Sequence, residues 1–325
     1  MPRQVAKLLG LLCLCLGAVG IGAAPATSRA IVQNDAGLAL QAVATPRPGA
    51  GQVLIRVYAA SVNPVDWKRR ASIPGFDAAG VIDSVGPDVA AFKPGDAVYG
   101  RVTGGYAEYA VAMVGEIAAK PRTLAFLQAA AVPIAGVAGY RAVEEAKVAA
   151  GQRVAIIGAA GGAGSFAVQL ARARGARVVA VGHSTQQAFL RKIGADEFVA
   201  YDKDDVAARV GKVDAALNLV DGQQNAALGY VKAGGHFTSI AGNPGSDRCA
   251  AAAVTCAFIA GGNGAISYGD GLRALAVLAD AGKYTVQVTK TFPLAQAAAA
   301  QELVHVSDAV GKVVLVVDAA KAPTR

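Results

Sequence analysis

The sequence predicts an α/β protein in which a doubly wound parallel sheet is joined to a second, mostly β domain. After about residue 126, short apolar runs alternate with helix-length segments, which is the pattern of βαβ units. Before that point, residues 29–125 combine short apolar runs with closely spaced Pro and Gly, which favours antiparallel strands joined by turns. The chain has 325 residues, 54% of them hydrophobic, so both domains can bury substantial cores.

The first 26 residues have the layout of a secretory signal peptide. Arg3 and Lys7 precede an apolar run over residues 8–21, and small residues follow as far as Ala26. The run is shorter than the roughly 20 apolar residues of a membrane span. We therefore expect residues 1–26 to be removed and the protein to be exported, to the periplasm. The alternative is an uncleaved segment, which would leave a cytoplasmic or membrane-anchored protein that touches the membrane only through residues 8–21.

Charge and cysteine content exclude two classes of protein. The formal net charge is +8, but Lys68-Arg69-Arg70 is the one tight basic cluster and no basic stripe contains interleaved aromatics, which argues against nucleic-acid binding. Four cysteines are too few for a disulfide scaffold. Cys249 and Cys256 would remain after export and could pair there, a question that the sequence leaves open.

The domains follow one another with a return at the end. Residues 29–125 form the first part of the β-rich domain and residues 126–265 form the parallel-sheet domain. Residues 266–325 contain an Ala-rich helix and then the apolar run Val313–Val317, which we expect to complete the first domain.

A glycine-rich segment follows the first strand of the parallel-sheet domain. It has the sequence Gly-Ala-Ala-Gly-Gly-Ala-Gly and lies between an apolar run and a helix-length segment. We expect Gly161 to permit a tight turn, and Gly162 and Gly164 to leave room for a diphosphate and the neighbouring strand. A helix from about Gly164 would direct free amide groups at the phosphates. A flexible loop is the alternative, but the flanking strand and helix favour a Rossmann dinucleotide site. The residues assigned to it here are Gly158, Gly161, Gly162, Ala163 and Gly164.

The end of the second strand distinguishes NAD from NADP. An acidic residue about 20 positions after the glycines would bind the ribose diol of NAD. Here the strand continues into Gly182-His183-Ser184-Thr185, and the next acidic residue is Asp196. A 2′-phosphate would meet no repulsion and could accept hydrogen bonds from His183 or Ser184, so the sequence favours NADP. The alternative is that residues 182–185 form only a solvated turn.

The residues needed for other chemistries are missing. Residues 29–125 contain neither His nor Cys, so no catalytic zinc site with three protein ligands can be assembled there, and we predict no metal. No Tyr has a Lys four residues later, as short-chain dehydrogenases require, and the G-x-S-x-G motif of serine hydrolases is absent. The three histidines all follow the glycine segment: His183, His236 and His305.

Candidate catalytic residues lie in the first domain. Asn63 offers an amide donor and Lys68 a cation for charge that develops on a substrate oxygen, and Asp66 between them could orient either one. The alternative for Ser61–Asp66 is a structural turn, because Asn-Pro and Asp are common turn residues.

A series of motifs occurs in one order along almost the whole chain after the signal peptide. The motifs are Ser61-Val62-Asn63-Pro64-Val65-Asp66, Pro74-Gly75-Phe76-Asp77-Ala78-Ala79-Gly80-Val81, Lys93-Pro94-Gly95-Asp96, Gly104-Gly105-Tyr106-Ala107-Glu108-Tyr109, Tyr140-Arg141-Ala142, the glycine segment, Gly194-Ala195-Asp196 and Gly311-Lys312-Val313-Val314-Leu315. On these motifs the chain resembles the medium-chain dehydrogenase/reductase superfamily, in its zinc-independent quinone oxidoreductase (zeta-crystallin-like) branch.

This resemblance implies a GroES-like catalytic domain split by a Rossmann domain, with the active site in the cleft between them. It implies a homodimer, NADPH as hydride donor, and a quinone, activated alkene or carbonyl compound as acceptor. Asn63 would face the nicotinamide, Tyr201 would lie near the 2′-phosphate, and the backbone at Val220 and from Ser239 to Gly242 would flank the nicotinamide. Gly75-Phe76-Asp77 stands where zinc-dependent relatives carry Gly-His-Glu.

Two departures from the family pattern keep other functions open. The stretch from Trp67 to Ile73 is shorter than the usual substrate loop, and Ala138 stands where relatives often carry Thr. Both would suit a non-catalytic NADP-binding protein. A zinc-free alcohol dehydrogenase is the other alternative, although it needs a base that the sequence does not identify. The reductase remains our leading hypothesis.

Overall fold

The computed structural model describes residues 24–259, 265–306 and 310–318. The predicted signal peptide lies almost wholly outside these ranges, including its apolar run at residues 8–21. Within the described ranges, no helix combines the length and the apolar character needed to cross a bilayer.

The first part of the chain forms an antiparallel β domain. A hairpin of β1 (Thr27–Asn34) and β2 (Gly37–Ala44) precedes the main sheet. β3 is buried along most of its length, as its apolar sequence predicts, and pairs with β4 and β6. The elements are β3 (Gln52–Ser61), α1 (Val65–Lys68), β4 (Asp77–Val85), β5 (Ala97–Arg101), β6 (Tyr109–Met113) and β7 (Ile117–Ala119).

The second part forms the doubly wound domain. Its elements are α2 (Phe126–Ala130), α3 (Pro133–Glu145), β8 (Arg153–Ile157), α4 (Gly162–Ala173), β9 (Arg177–Gly182), α5 (Gln187–Lys192), β10 (Glu197–Ala200), α6 (Val206–Val210), β11 (Val213–Asn218), α7 (Gln224–Gly229), β12 (Val231–Ser239), α8 (Ser246–Ala251) and β13 (Thr255–Phe258). The strands are parallel in the order β10-β9-β8-β11-β12-β13. The strand order reverses between β8 and β11, and such a switch point forms a ligand crevice at the carboxyl ends of the strands. The predicted fold class is confirmed.

The end of the chain returns to the β domain. α9 (Tyr268–Asp280) packs against α3, and β14 (Val288–Pro293), α10 (Ala297–Val306) and β15 (Lys312–Val316) follow. β15 pairs with β3, so the last strand closes the sheet of the first domain.

A shared core joins the two domains. Tyr58 and Tyr99 of the β domain lie in one buried cluster with Phe126, Phe166 and Leu272. The Tyr99 hydroxyl donates a hydrogen bond to the Leu272 carbonyl, which satisfies its polar end inside the apolar cluster. The walls of the cleft between the domains are therefore fixed by common packing.

A disulfide lies at the edge of the parallel sheet. Cys249 in α8 and Cys256 in β13 are bonded, with their Cα atoms 6.1 Å apart. The pairing that the sequence leaves open is therefore present in the structure.

Candidate active site

The glycine segment joins β8 to α4 at the carboxyl edge of the parallel sheet. Gly158 has φ +79°, a left-handed conformation that favours glycine, and it makes the turn directly after the strand. Gly161 has φ −68° and caps α4, which begins at Gly162. Gly161 closes this turn, because its backbone nitrogen donates to the Gly158 carbonyl at 3.2 Å, and the helix begins two residues before the expected Gly164, but the left-handed residue is Gly158. The chain must reverse as soon as β8 ends, so the left-handed residue comes three positions earlier.

The glycines serve different contacts. A Cβ on Gly164 would lie 2.1 Å from the Gly158 carbonyl oxygen, so the helix can pack on the turn only without a side chain there. A Cβ on Gly162 would lie 3.1 Å from Cδ of Lys312, so this residue faces the returning strand rather than a ligand. A Cβ on Gly161 would meet the Gly158 oxygen at 3.5 Å, an ordinary contact, and Gly161 is exposed.

The backbone amides of Gly162 and Ala163 fit a dinucleotide diphosphate, whereas the Gly161 amide is already bonded to the Gly158 carbonyl at 3.2 Å. The first amide groups of a helix have no carbonyl partner within the helix. At α4 these groups start at an exposed glycine, so phosphate oxygens can approach the bare backbone. Oriented amides and the positive end of the helix dipole stabilise negative charge at this point.

The adenosine end of the site lies where β9 and β10 end side by side. The rings of His183 and Tyr201 meet edge-on, with centroids 5.7 Å apart. Ser184 donates from its backbone nitrogen and from Oγ to the two carboxylate oxygens of Asp202, both at 2.7 Å. Nε2 of His183 lies 3.5 Å from the same carboxylate. The expectation that a 2′-phosphate would meet no acidic residue here was wrong, because the pairing of β10 with β9 brings Asp202 to Ser184 from 18 positions further along.

A cavity of about 440 Å³ continues from this end toward the glycine turn. Gly158, Tyr201 and Val220 line it together, along with Val206 and Tyr230. Three residues that the sequence analysis assigned to the cofactor therefore share one cavity, and its apolar walls suit a flat purine ring.

A larger cleft of about 660 Å³ lies between the two domains. Asn63 and Lys68 contribute to its wall from the β domain, and Val220, Ile240 and Ala241 contribute from the parallel-sheet domain. It lies beyond the carboxyl ends of β11, β12 and β13, beside the smaller cavity that lies at the switch point between β8 and β11.

Two buried polar side chains hold the loops that form this part of the cleft. Nδ2 of Asn218 donates to the Val220 carbonyl at 3.0 Å, to Oγ of Ser239 at 3.0 Å and to the Ala241 carbonyl at 2.7 Å. Ser239 is fully buried, so it positions the loop at Ala241 rather than touching a ligand. Asn218 was not predicted from the sequence. A polar residue at the end of an apolar parallel strand could have indicated it, because ligands bind in the crevice at the carboxyl ends of such strands.

A buried polar network lies behind Asn63. Lys312 donates to Oδ1 of Asn63 and, at 3.1 Å, to the Val62 carbonyl. Nδ2 of Asn63 donates to Oδ2 of Asp77 at 2.9 Å, and Oδ1 of Asp77 accepts from the backbone nitrogen of Ile134 at 2.9 Å. The Asn63 amide is therefore held in one orientation by a cation on one side and a carboxylate on the other.

Asp66 supports the same asparagine through the backbone. Its Oδ2 accepts from the Asn63 backbone nitrogen at 2.7 Å and from the Tyr106 hydroxyl at 2.8 Å. Asp66 is fully buried, and burial raises its pKa to about 6. Lys68 also lines the cleft, but its side chain is largely exposed and pairs with Asp221 at 3.2 Å rather than with Asp66. Asp66 therefore orients Asn63 and not Lys68.

Burial also changes the titration of Asp77 and Lys312. Loss of hydration raises the pKa of Asp77 and lowers the pKa of Lys312, because each charged form is costly inside the protein. Their mutual attraction acts against both changes. Lys312 was assigned no role from the sequence. A lysine at the start of an apolar strand could have indicated one, because a charge buried there needs polar partners.

Comparison with known proteins identifies the family. Residues 49–149 match the alcohol dehydrogenase GroES-like domain and residues 193–315 match the zinc-binding dehydrogenase domain. A chloroplastic NADPH-dependent alkenal/one oxidoreductase of Arabidopsis thaliana is 31% identical over 300 residues, which cover 84% of this chain and 74% of the relative. The chain belongs to the medium-chain dehydrogenase/reductase superfamily. The resemblance to its quinone oxidoreductase branch is confirmed by a Coxiella burnetii quinone oxidoreductase structure with TM-score 0.81 and 29% identity, covering 90% of this chain and all of that one.

A second relative of this medium-chain reductase matches over a shorter span. The 2-methylene-furan-3-one reductase of Solanum lycopersicum is 36% identical over 223 residues, which make up 62% of this chain. The matched part spans 57% of that relative's length.

The donor set of this superfamily member does not fit a catalytic zinc. One matched domain model is named for zinc-binding dehydrogenases. In the part of the chain that the structure describes, no group of three or more His, Cys, Asp or Glu side chains is arranged to hold a metal ion. Phe76 occupies the cleft wall beside Asp77. Zinc independence stays a prediction that metal analysis of the purified protein can test.

Proposed function

We propose that this medium-chain reductase uses NADPH to reduce quinones or alkenes activated by a carbonyl group, without zinc. The main support is the inter-domain cleft of about 660 Å³, in which Asn63 and the loops at Val220 and Ala241 face one space. The Arabidopsis, tomato and Coxiella relatives are named as reductases or oxidoreductases of this chemical class.

The residues present fit a nicotinamide dinucleotide. The amides at Gly162 and Ala163 would hold the diphosphate, and the loops held by Asn218 and Ser239 would hold the nicotinamide end. When bound, the cofactor supplies the hydride. The chain itself must bind and orient the acceptor and stabilise the charge that develops on its oxygen.

Asn63 is the residue best placed for that stabilisation. One hydrogen of its Nδ2 bonds Asp77, and the other has only a 3.5 Å contact with the Ser61 carbonyl. Because Lys312 donates to Oδ1, it polarises the amide and makes the remaining N–H a stronger donor. Asn63 lines the cleft, so a substrate oxygen there can compete with the Ser61 carbonyl for this second N–H.

The preference for NADPH rests on two observations. The Arabidopsis relative is named as NADPH-dependent, and residues 182–185 at the end of β9 contain no acidic side chain. Asp202 opposes this preference with its negative charge. Asp202 is therefore the residue that tunes the choice of cofactor.

We further propose that the protein is exported and works as a homodimer. The layout of residues 1–26 supports export, and so does the Cys249–Cys256 disulfide, because disulfides persist in oxidising compartments. The homodimer rests on the family resemblance alone. Sequencing of the amino terminus of the native protein and light scattering of the purified protein test these two proposals.

The test of the enzymatic proposal is oxidation of NADPH by the purified protein with a panel of quinones and enones. Turnover that falls by about 100-fold in Asn63→Ala, as expected when an oxyanion donor is lost, supports the proposal. Calorimetric binding of NADPH without any turnover would instead support the non-catalytic alternative.

A further inference from the structure

One face of α3 forms a wall of the cleft along its whole length. Ile134, Val137, Ala138 and Arg141 all line the cleft, at the spacing of a single helical face. A helix rises about 1.5 Å per residue, so Arg141 lies about 10 Å beyond Ile134 along the helix axis. Because the Ile134 amide bonds Asp77, this face extends from the Asn63 network at one end to Arg141 at the other.

Arg141 is a buried cation that forms no salt bridge among the described residues. The residue is 4% exposed. Its Nη2 donates to the Ile266 carbonyl at 2.6 Å, but its Nε is buried and has no hydrogen-bond partner among the described residues. Glu145, one turn further along α3, attracts the guanidinium but uses its carboxylate to accept a hydrogen bond from the backbone nitrogen of Ala265. A guanidinium presents its donors as a planar fork, and here the Nε–H of that fork is unpaired behind the cleft wall.

A second unsatisfied donor lies beside it. The Tyr268 hydroxyl is buried without a hydrogen-bond partner among the described residues, and Tyr268 also lines the cleft. The guanidinium carbons of Arg101 and Arg141 lie 4.7 Å and 5.9 Å from the centre of the Tyr268 ring. Arg101 is paired with Glu116, so its charge is compensated. Arg141 has no such salt bridge among the described residues, so it is the cation at this end of the cleft that an added carboxylate would pair with.

We propose that Arg141 and Tyr268 bind a carboxylate carried by the substrate, at the end of the cleft away from Asn63. This proposal rests on the proposed function and narrows its acceptor to an unsaturated carbonyl compound with an acidic side chain. A carboxylate is an acceptor with two oxygens, and a guanidinium together with a phenol hydroxyl supplies donors of matching geometry. An uncharged substrate would leave the buried guanidinium unpaired, so the site discriminates against esters of the same acid.

The experiment compares an acid with its own ester. The full-length protein is assayed with an enone that carries a carboxylate two methylene groups from the alkene, and with the methyl ester of that compound. The proposal expects kcat/KM to be about 10- to 100-fold higher for the acid, the range of a charge-assisted hydrogen bond. Equal kcat/KM for acid and ester overturns it while leaving the proposed function intact.

Two variants locate the effect. Arg141→Gln is expected to remove the preference for the acid, with little change for the ester and no change in the KM for NADPH. Tyr268→Phe keeps the ring and removes only the hydroxyl, so it reports on the same subsite if Arg141→Gln does not fold. Arg47→Gln, outside the residues that line the cleft, is the matched control. A rise in the KM for NADPH alone would assign Arg141 to the cofactor and overturn the proposal.

Calorimetry separates this inference from the proposed function. If neither compound is reduced, the proposed function fails, but the acid can still be titrated into the protein in the presence of NADP. Tighter binding of the acid than of the ester, lost in Arg141→Gln, supports the anion subsite. Equal binding, or binding that Arg141→Gln and Tyr268→Phe leave unchanged, overturns it.

Discussion

Lys312 and Asn63 share a hydrogen bond although 249 residues separate them in the sequence. The neighbouring Gly311 donates its backbone nitrogen to the Ala160 carbonyl at 3.1 Å, and the Lys312 side chain packs against Gly162. The returning strand thus connects the turn of the glycine segment to the asparagine in the cleft wall. Gly311 and Lys312, at the start of the last strand, therefore fix the position of the glycine segment relative to the side-chain amide of Asn63.

Lys312→Met should reduce turnover while leaving the binding of NADPH almost unchanged. The substitution removes the cation that polarises the Asn63 amide but keeps an apolar stem of similar length against Gly162. We expect kcat to fall by about 10- to 100-fold, within the range for loss of an electrostatic contact to the transition state. Steady-state kinetics and calorimetry with NADPH measure the two effects. Lys290→Met, an exposed lysine of β14, is the control, and an unchanged kcat in Lys312→Met would remove the network from the mechanism.

Acidic pH should stabilise the protein through Asp66. Burial raises the pKa of Asp66 from 3.8 to about 6, so the folded protein retains a proton that the unfolded chain has released between these values. This stabilisation is fully present below the unfolded pKa and is lost as the pH rises through about 6. A shift of this size corresponds to about 3 kcal/mol in the free energy of unfolding.

Asp66→Asn should weaken that pH dependence, although it lowers the overall stability. Oδ2 of Asp66 accepts both short hydrogen bonds, so the asparagine oxygen can take its place, whereas the new NH2 group is buried beside the Phe76 backbone nitrogen without an acceptor. Urea unfolding at several pH values from 4 to 7 measures the slope. Asp77 contributes a slope of the same sign, so part of it should persist. Asp247→Asn, on the exposed side of α8, should leave the slope as it is, and an unchanged slope in Asp66→Asn would contradict the prediction.

The sequence predicted what depends on local pattern. Alternating apolar runs and helices gave the parallel sheet, and the strand–glycine–helix order located the dinucleotide cradle at the end of β8. These features depend on residues close together in the chain. The sequence did not predict which glycine adopts the left-handed conformation, because the position of that turn at Gly158 depends on where β8 ends.

The residues that the sequence analysis missed come together across strands. Asp202 reaches Ser184 through the pairing of β10 with β9, and Lys312 reaches Asn63 because β15 pairs with β3. Neither contact has a signature in the spacing of the chain. Arg141 belongs to the motif Tyr140-Arg141-Ala142, but the sequence could not show that its Nε has no hydrogen-bond partner among the described residues.

Gly161→Asp should abolish cofactor binding and preserve the fold. A Cβ at this position makes only an ordinary contact, so the chain accepts a side chain, whereas a carboxylate at the helix cap would occupy the place of the diphosphate and repel it. We expect the Kd for NADPH to rise by at least about 100-fold, or about 2.7 kcal/mol. Calorimetry measures the affinity and thermal unfolding measures the fold. Gly115→Asp is the matched control, since a Cβ there meets nothing within 4 Å and lies away from the glycine segment. Retained affinity in Gly161→Asp would count against the assigned cradle.

Asp202→Asn should increase the preference for NADPH over NADH. The Asp202 carboxylate lies beside Ser184 and His183, where the resemblance places the 2′-phosphate. The carboxylate and the phosphate are both negative, so they would repel each other. The asparagine keeps one oxygen to accept from Ser184 and loses the charge. The ratio of kcat/KM for NADPH to that for NADH should rise by about 10-fold. Ser184→Ala tests the donor rather than the charge and should lower the same ratio. If Asp202→Asn lowers the ratio instead, the carboxylate positions Ser184 and His183 for the phosphate and thereby favours NADPH, which would contradict the prediction.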